Sequence, residues 1–260
     1  MRICAPYMRI DRRADIMKQV ITWYGHGTWY METADGVKIF IDPFIKGNPA
    51  CPFKFEDVCA ADVVCVTHGH NDHLGDAIEL VKKTGAVLVT IPEVAAYCHK
   101  YGLPYDEGGG VLHTGGKVTV KGVKFIGTFA LHYSDIWGAE YAKDGTVVAG
   151  SGCCGIVIVP EGGKSVYFAR DTGVFGDMKL INRLYKPYVS VIPIGGKYVM
   201  DIEDAAVAAE FLGSRYIIPG HYNTFPINQA DVGEFISLVA QTAPAAEVIP
   251  LKQGDSFEVV

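Results

Sequence analysis

Apolar and polar positions alternate in short runs through the first quarter of the chain. Residues 20–24, 28–32 and 37–41 read as strands rich in β-branched and aromatic side chains. Gly25-His26-Gly27 and Ala34-Asp35-Gly36 break them with turn chemistry. Residues 63–66 form a continuous apolar run, the form a strand takes when both its faces are covered. The period then lengthens: Leu74, Ala77, Ile78 and Val81 share one face of a helix predicted near 74–83, with Gly85 as its stop. A strand over 86–90 follows, then a helix from Pro92, where a missing amide proton is harmless.

The second half repeats the theme. Strands at 118–120, 123–130, 155–159 and 165–168 lead into a helix near 175–185. Strand 189–192, helix 201–212, strand 216–218, helix 229–242 and strand 256–259 complete it. Each half passes from a strand-rich stretch to alternating β and α. That order predicts an α/β fold in four layers, αββα, with two sheets face to face and helices outside. No linker or low-complexity stretch interrupts it, so residues 17–260 read as a single domain. Residues 1–16 carry Arg2, Arg9, Arg12 and Arg13 with no apolar stretch behind them, so they are not expected to be a secretory signal. They are expected to be a loose leader, with Met17 a second reasonable start.

Composition narrows the function classes. The chain has 260 residues, 49% hydrophobic, which is enough to bury a core without covalent staples. The net charge of −6 comes without a long run of one sign, and no basic stripe of the kind that grips a phosphate backbone is present. A nucleic-acid partner is therefore not expected. Seven cysteines lack a framework spacing, and adjacent Cys153 and Cys154 would strain to pair. Reduced thiols in the cytoplasm are the expectation. No apolar run approaches the roughly 18 residues of a membrane span.

The densest chemistry follows the run at 63–66. His68, His70, Asp72 and His73 lie within six residues and stop where the helix begins. Alternation points His68 and His70 the same way, and the turn at Gly69 lets Asp72 and His73 reach a second point nearby. One tetrahedral ion rarely takes all its ligands from so short a stretch, so the spacing suits two cations. Asp72 alone would be read as a helix cap, but three histidines beside it would not.

His68-x-His70-x-Asp72-His73 resembles the signature of the metallo-β-lactamase superfamily. From about Ile21 to Asp255 the chain resembles a branch of small metal-dependent hydrolases related to the L-ascorbate-6-phosphate lactonases. The likeness includes Tyr24-Gly25-His26-Gly27, Ile41-Asp42-Pro43-Phe44, Asp171-Thr172-Gly173, Phe175-Gly176-Asp177-Met178, Ile192-Pro193-Ile194-Gly195 and Pro219-Gly220-His221-Tyr222-Asn223-Thr224. The resemblance implies that His132 joins His68 and His70 around a first metal. It implies that Asp171 bridges to a second, held by Asp72, His73 and His221. The donors suit zinc, with manganese or nickel as alternatives. Flavin-dependent oxygen reductases of the same fold carry a glutamate where His70 stands, so His70 implies hydrolysis over redox chemistry.

The expected activity is attack by a hydroxide shared between two metals, formed near pH 7, on a small ester, lactone or phosphodiester. Asp72 and Asp171 would be catalytic, and His26 would give the leaving group a proton or contact the substrate. Tyr222 and Asn223 are candidates to steady an oxyanion, while His99 and His113 read as structural. An RNA-processing nuclease, like the tRNA 3′-end enzymes of the superfamily, is the alternative enzyme. A lapsed metal-binding protein is the alternative non-enzyme, suggested by Phe168-Ala169-Arg170-Asp171 where relatives show His-Ala-Gly-Asp. Arg170 is expected to point outward; turned inward it would meet an anionic substrate or weaken the metals. Lys197 is a second candidate contact for an anion. The loops at 47–55 and 133–152 would wall the pocket. The latter, with Tyr133, Trp137, Tyr141 and Lys143, suits a lid, a surface excursion or a homo-oligomer contact.

Overall fold

Odd and even positions of the first strands serve different layers. Ile21, Trp23, Trp29, Met31, Ile39, Ile41, Val63 and Cys65 join one buried cluster with Phe125, Val157, Tyr167 and Val191 of the opposite sheet. Tyr30, Phe40, Val64 and Val66 join another with Leu80, Val94 and Cys98. The unbroken apolar run at Val63–Val66 is thus a strand covered on both faces.

The computed structural model describes residues 18–150 and 152–260; the expected leader, with Cys4 and Met17, lies outside them. The first half comprises β1 (Gln19–Trp23), β2 (Trp29–Glu32), β3 (Lys38–Ile41), β4 (Val63–Val66), α1 (Asn71–Leu74), α2 (Ala77–Thr84), β5 (Val87–Thr90) and α3 (Pro92–Lys100). Then come β6 (Lys117–Val120), β7 (Val123–Phe129), α4 (Ala139–Asp144), β8 (Cys154–Val159), β9 (Val166–Phe168) and α5 (Met178–Tyr185). The chain closes with β10 (Val189–Pro193), α6 (Ile202–Leu212), β11 (Tyr216–Gly220), α7 (Val232–Thr242), β12 (Glu247–Val248) and β13 (Ser256–Val259).

Two sheets result, in the orders β13-β1-β2-β3-β4-β5 and β12-β11-β10-β9-β8-β7-β6. The last strand returns to the first sheet, where Val259 pairs antiparallel with Gln19. β3, β4 and β5 run parallel, as do β9, β10 and β11, so the carboxyl ends of each set gather at one edge of their sheet. Loops leaving such ends are where α/β sheets present ligand groups. The expected α/β sandwich is the observed fold.

Three departures have local causes. The helix expected near 74–83 divides at Gly75, whose φ of +38° and the carbonyl of Pro43, where a Cβ would sit, exclude other residues. α6 and α7 start at caps, with Asp201 accepting from the Asp204 amide and Asp231 from the Glu234 amide. α4 and the two-residue β12 are too short to show a period. Among the described residues no helix is long and apolar enough to cross a membrane.

Candidate metal centre

Strand ends place the polar residues. Asp42 follows β3, His68 to His73 leave β4 into α1, His132 follows β7, Asp171 follows β9 and His221 follows β11. His26 occupies the turn between β1 and β2. Of seven non-glycine residues with positive φ among those described, four lie here: His26 at +52°, Asp42 at +48°, Arg170 at +59° and His221 at +55°. Such backbone is unfavourable by of order 1 kcal/mol per residue and persists where the surroundings over-determine it.

Two groups of donors converge. His68 Nε2 lies 3.2 Å from His70 Nδ1, and His132 Nε2 lies 3.4 Å from the same nitrogen. A tetrahedral ion with bonds of roughly 2.0–2.1 Å sets its nitrogens about 3.3 Å apart. Asp171 Oδ2 stands 3.9 Å from His132 Nε2 and 3.4 Å from His221 Nε2, while its Oδ1 is 3.2 Å from His73 Nε2. Asp72 Oδ2 lies 3.6 Å from His73 Nε2 and 3.7 Å from His221 Nε2. The Asp171 carboxylate therefore reaches both groups. His73 Nε2, Asp171 Oδ1 and both ring nitrogens of His221 are buried with no aligned hydrogen bond. Each such orphan is unfavourable by about 1–3 kcal/mol, a penalty that shared divalent cations would remove at His73 Nε2, Asp171 Oδ1 and His221 Nε2. The donor set fits them.

Beneath these groups a buried carboxylate fixes two imidazoles. His73 Nδ1 lies 2.8 Å from Asp42 Oδ2. His68 Nδ1 lies 3.2 Å from Thr67 Oγ1, which donates to the same carboxylate oxygen at 2.6 Å. Both hold Nδ1 as the donor and aim Nε2 at the centre. Arg170 clamps Asp42 in turn: its Nε donates at 2.7 Å, and its Nη2 lies 2.6 Å from Oδ2 and donates to the Gly27 carbonyl at 2.5 Å. The Arg170 side chain is 3% exposed. This corrects the expectation that it points outward; it faces Asp42 instead of solvent. A Cβ at Gly27 would meet both the guanidinium and the His73 ring at 2.9 Å, so this approach requires glycine. Phe168 packs in the core beside Trp29, their ring centres 6.2 Å apart.

Electrostatics assigns the protons. Burial pushes the His68 imidazole well below its ordinary range, and it lowers His70 and His132 too. All three keep free lone pairs at neutral pH. Burial alone would raise Asp72 and Asp171, but the histidines around them hold both carboxyls well below the usual range. Asp42, against its burial, is brought to about 2 by the Arg170 charge and the His73 hydrogen bond. His73 is the opposite case. Burial disfavours its charge, yet Asp171, Asp72 and Asp42 raise it to about 10 in the metal-free chain.

His26 sits deeper than its expected role requires. It is 3% exposed, its Nε2 lies 2.9 Å from Asp72 Oδ2 and its ring centre is 4.0 Å from that of His221. Burial, reinforced by the neighbouring His221, lowers it to about 4 although Asp72 pulls the other way. A neutral, shielded ring suits holding Asp72 and not meeting a substrate. Tyr222 is buried on Trp23 at 5.1 Å, and Asn223 bonds the Ala230 backbone through both side-chain ends, so neither is aimed at the centre. Lys197 lies over the Tyr198 ring, and His99 Nδ1 is 2.8 Å from the Leu103 carbonyl. Asp42, present in the Ile41-Asp42-Pro43-Phe44 likeness without a role, is the residue sequence reasoning missed; a lone carboxylate directly after a buried strand is its signal.

Comparison with known proteins agrees with this geometry. The model of the β-lactamase superfamily domain matches residues 20–221. A UPF0173 metal-dependent hydrolase from Methanopyrus kandleri is 43% identical over 238 residues, spanning 92% of this chain and 99% of that protein. The solved structure of a metallo hydrolase from Ignicoccus hospitalis superposes with a TM-score of 0.77 at 35% identity, over 93% of this chain and 99% of that one. An isothiocyanate hydrolase from Delia radicum gut bacteria gives 0.70 at 21% identity over 92% and 99% of the two chains, a likeness of fold alone. By domain match and by close, nearly coextensive relatives, the chain belongs to the β-lactamase superfamily and, within it, to the UPF0173 metal-dependent hydrolases.

Proposed function

We propose that the chain hydrolyses a small ester, lactone or phosphodiester at a pair of divalent cations, zinc by default with manganese or nickel as alternatives. His68 Nε2, His70 Nδ1 and His132 Nε2 would hold the first. Asp72, His73 Nε2 and His221 Nε2 would hold the second, with Asp171 between them. When bound, the cations acidify a water and polarise the oxygen of the scissile group. The protein's own part is preorganisation: burial keeps three imidazoles neutral, Asp42 turns His68 and His73 inward, and His26 steadies Asp72. The carrying observation is the buried set of unpartnered donors, His73 Nε2, Asp171 Oδ1 and His221 Nε2, facing one another.

The reasons for reading a lapsed site are otherwise explained, since Arg170 is bound to Asp42 and Phe168 is core. The net charge of −6 gives the nuclease alternative no support. The free thiols of Cys51, Cys65, Cys98, Cys153 and Cys154 among the described residues favour a reducing compartment, which we take to be the cytoplasm. The test is turnover by the metal-reconstituted chain across a panel of esters, lactones, phosphodiesters and a structured RNA. The reading expects cleavage of at least one small substrate, lost on chelation, with the RNA intact. No turnover anywhere in the panel while cations remain bound would overturn it.

A further inference from the structure

The ligand side chains are unequally shielded. His68 and His73 are fully buried, and Asp171 and His221 nearly so. Asp72 keeps 27% of its side chain exposed and His132 keeps 15%; His70 is half-buried. A substrate must therefore arrive over Asp72, His132 and His70. Several apolar groups flank that approach. Leu131 and Tyr133, on either side of His132, are 46% and 87% exposed. The half-buried Trp137 ring stands 5.3 Å from His70, and Tyr141 stacks on it at 4.8 Å with only 20-odd degrees between the planes, 21°.

This aromatic pair is fixed to the ligand loop. The Trp137 amide donates to the Gly69 carbonyl at 2.8 Å, and the Gly69 amide donates to Ser134 Oγ at 2.9 Å. Ile136 pairs with Val148 and packs where a Cβ on Gly69 would stand. The Ala139 amide donates to the Tyr97 hydroxyl at 2.7 Å. The segment expected as a lid is thus anchored beside His70. The cations that suggested an anionic substrate are engaged elsewhere, Arg170 with Asp42 and Lys197 over Tyr198.

We infer that Trp137 and Tyr141 form a binding platform for a flat, uncharged aryl group of the substrate, seated against His70 beside the scissile bond. The inference rests on the hydrolase reading above and names its substrate class. In an aryl ester, the water oxygen bonds to the acyl carbon, the bond from that carbon to the ester oxygen breaks, and the departing oxygen takes the water's proton. The platform binds the ring through its face and adds no proton to this balance.

The test compares phenyl acetate with methyl acetate on the zinc-loaded chain and on its Trp137→Leu and Trp137→Phe variants. Taking the ratio of wild type to variant for each ester cancels their different intrinsic reactivity. The platform predicts a roughly five- to tenfold loss of kcat/KM for phenyl acetate in Trp137→Leu. It predicts a change below about twofold for methyl acetate, near-recovery in Trp137→Phe, and unchanged zinc content. Binding has its own readout. Trp23 and Trp29 are each 1% exposed, so of the three tryptophans only Trp137 is open to contact quenching. 4-Nitrobenzyl alcohol, a neutral aryl product analogue, should quench the fluorescence saturably in the wild type and not in Trp137→Leu. Saturable quenching without hydrolysis of either ester would sink the ester reading and keep the platform. Equal losses for both esters, or quenching that rises linearly without saturating, would overturn the platform itself.

Discussion

The floor and the rim of the metal centre are built differently. On the floor, Asp42, His68, His73 and Arg170 are buried and joined by hydrogen bonds of 2.6 to 3.2 Å. On the rim, His70, Asp72 and His132 keep partial exposure beside apolar neighbours. The floor's order comes from strand ends and charge pairing, so it stands without substrate. The rim meets what arrives. Changes to the floor should therefore register in cation binding and stability, and changes to the rim in substrate choice.

Asp171 belongs to both regions, so its loss should be the most severe. Asp171→Ala is expected to lower turnover by a thousandfold or more, on the order expected when a metal-bridging group is removed. Steady-state rates on the best panel substrate check this; activity within about tenfold of wild type at full metal content would remove Asp171 from the bridge. Next comes Arg170→Gly. Glycine tolerates the φ of +59°, so the backbone is spared, but Asp42 loses the guanidinium and keeps only the His73 ring and Thr67 against it. The metal-free chain should lose about 3 kcal/mol in urea unfolding. A loss below about 1 kcal/mol would mean that the floor does not depend on this pair.

The third prediction concerns pH. His73 is raised to about 10 in the folded, metal-free chain, above its ordinary 6.5. Stability from its protonated form is therefore complete below about 6.5 and is lost as pH rises through about 10. The melting temperature of the metal-free chain should fall across that window, while the metal-loaded chain, whose His73 Nε2 holds a cation in place of the proton, should not follow it. Parallel melting curves for both forms would place His73 outside the cation site. A smaller effect is expected of His26→Asn, which loosens Asp72. One cation should bind about tenfold more weakly in a chelator competition, with the other unchanged. The smallest is removal of residues 1–16, expected to leave solubility and activity as they were; loss of either would refute the leader reading.

His68 and His73 of the floor, with His70 and Asp72 of the rim, were legible in the sequence because they are written in one local pattern. The apolar run at Val63–Val66 and the ligands that follow it are contiguous, so spacing alone set four of them together. His132, Asp171 and His221 came from resemblance, because only the sheet orders bring their strand ends to the cluster. The direction of Arg170 was misread: an arginine beside a ligand is ordinarily a surface charge, and its partner Asp42 lies 128 residues away. His26 was legible as a site residue but not in its placement, since its depth depends on Asp72 and His221 closing over it. Trp137 could be placed near the pocket, but not against His70, because it lies in the irregular stretch before α4, where no period locates a side chain.

The most direct measurement is elemental analysis of the chain purified without chelator or affinity metal, beside a His68→Ala variant. About two equivalents of zinc, manganese or nickel in the wild type, falling by at least one in the variant, is the predicted result. A folded wild-type chain that binds no divalent metal even after reconstitution would contradict the account.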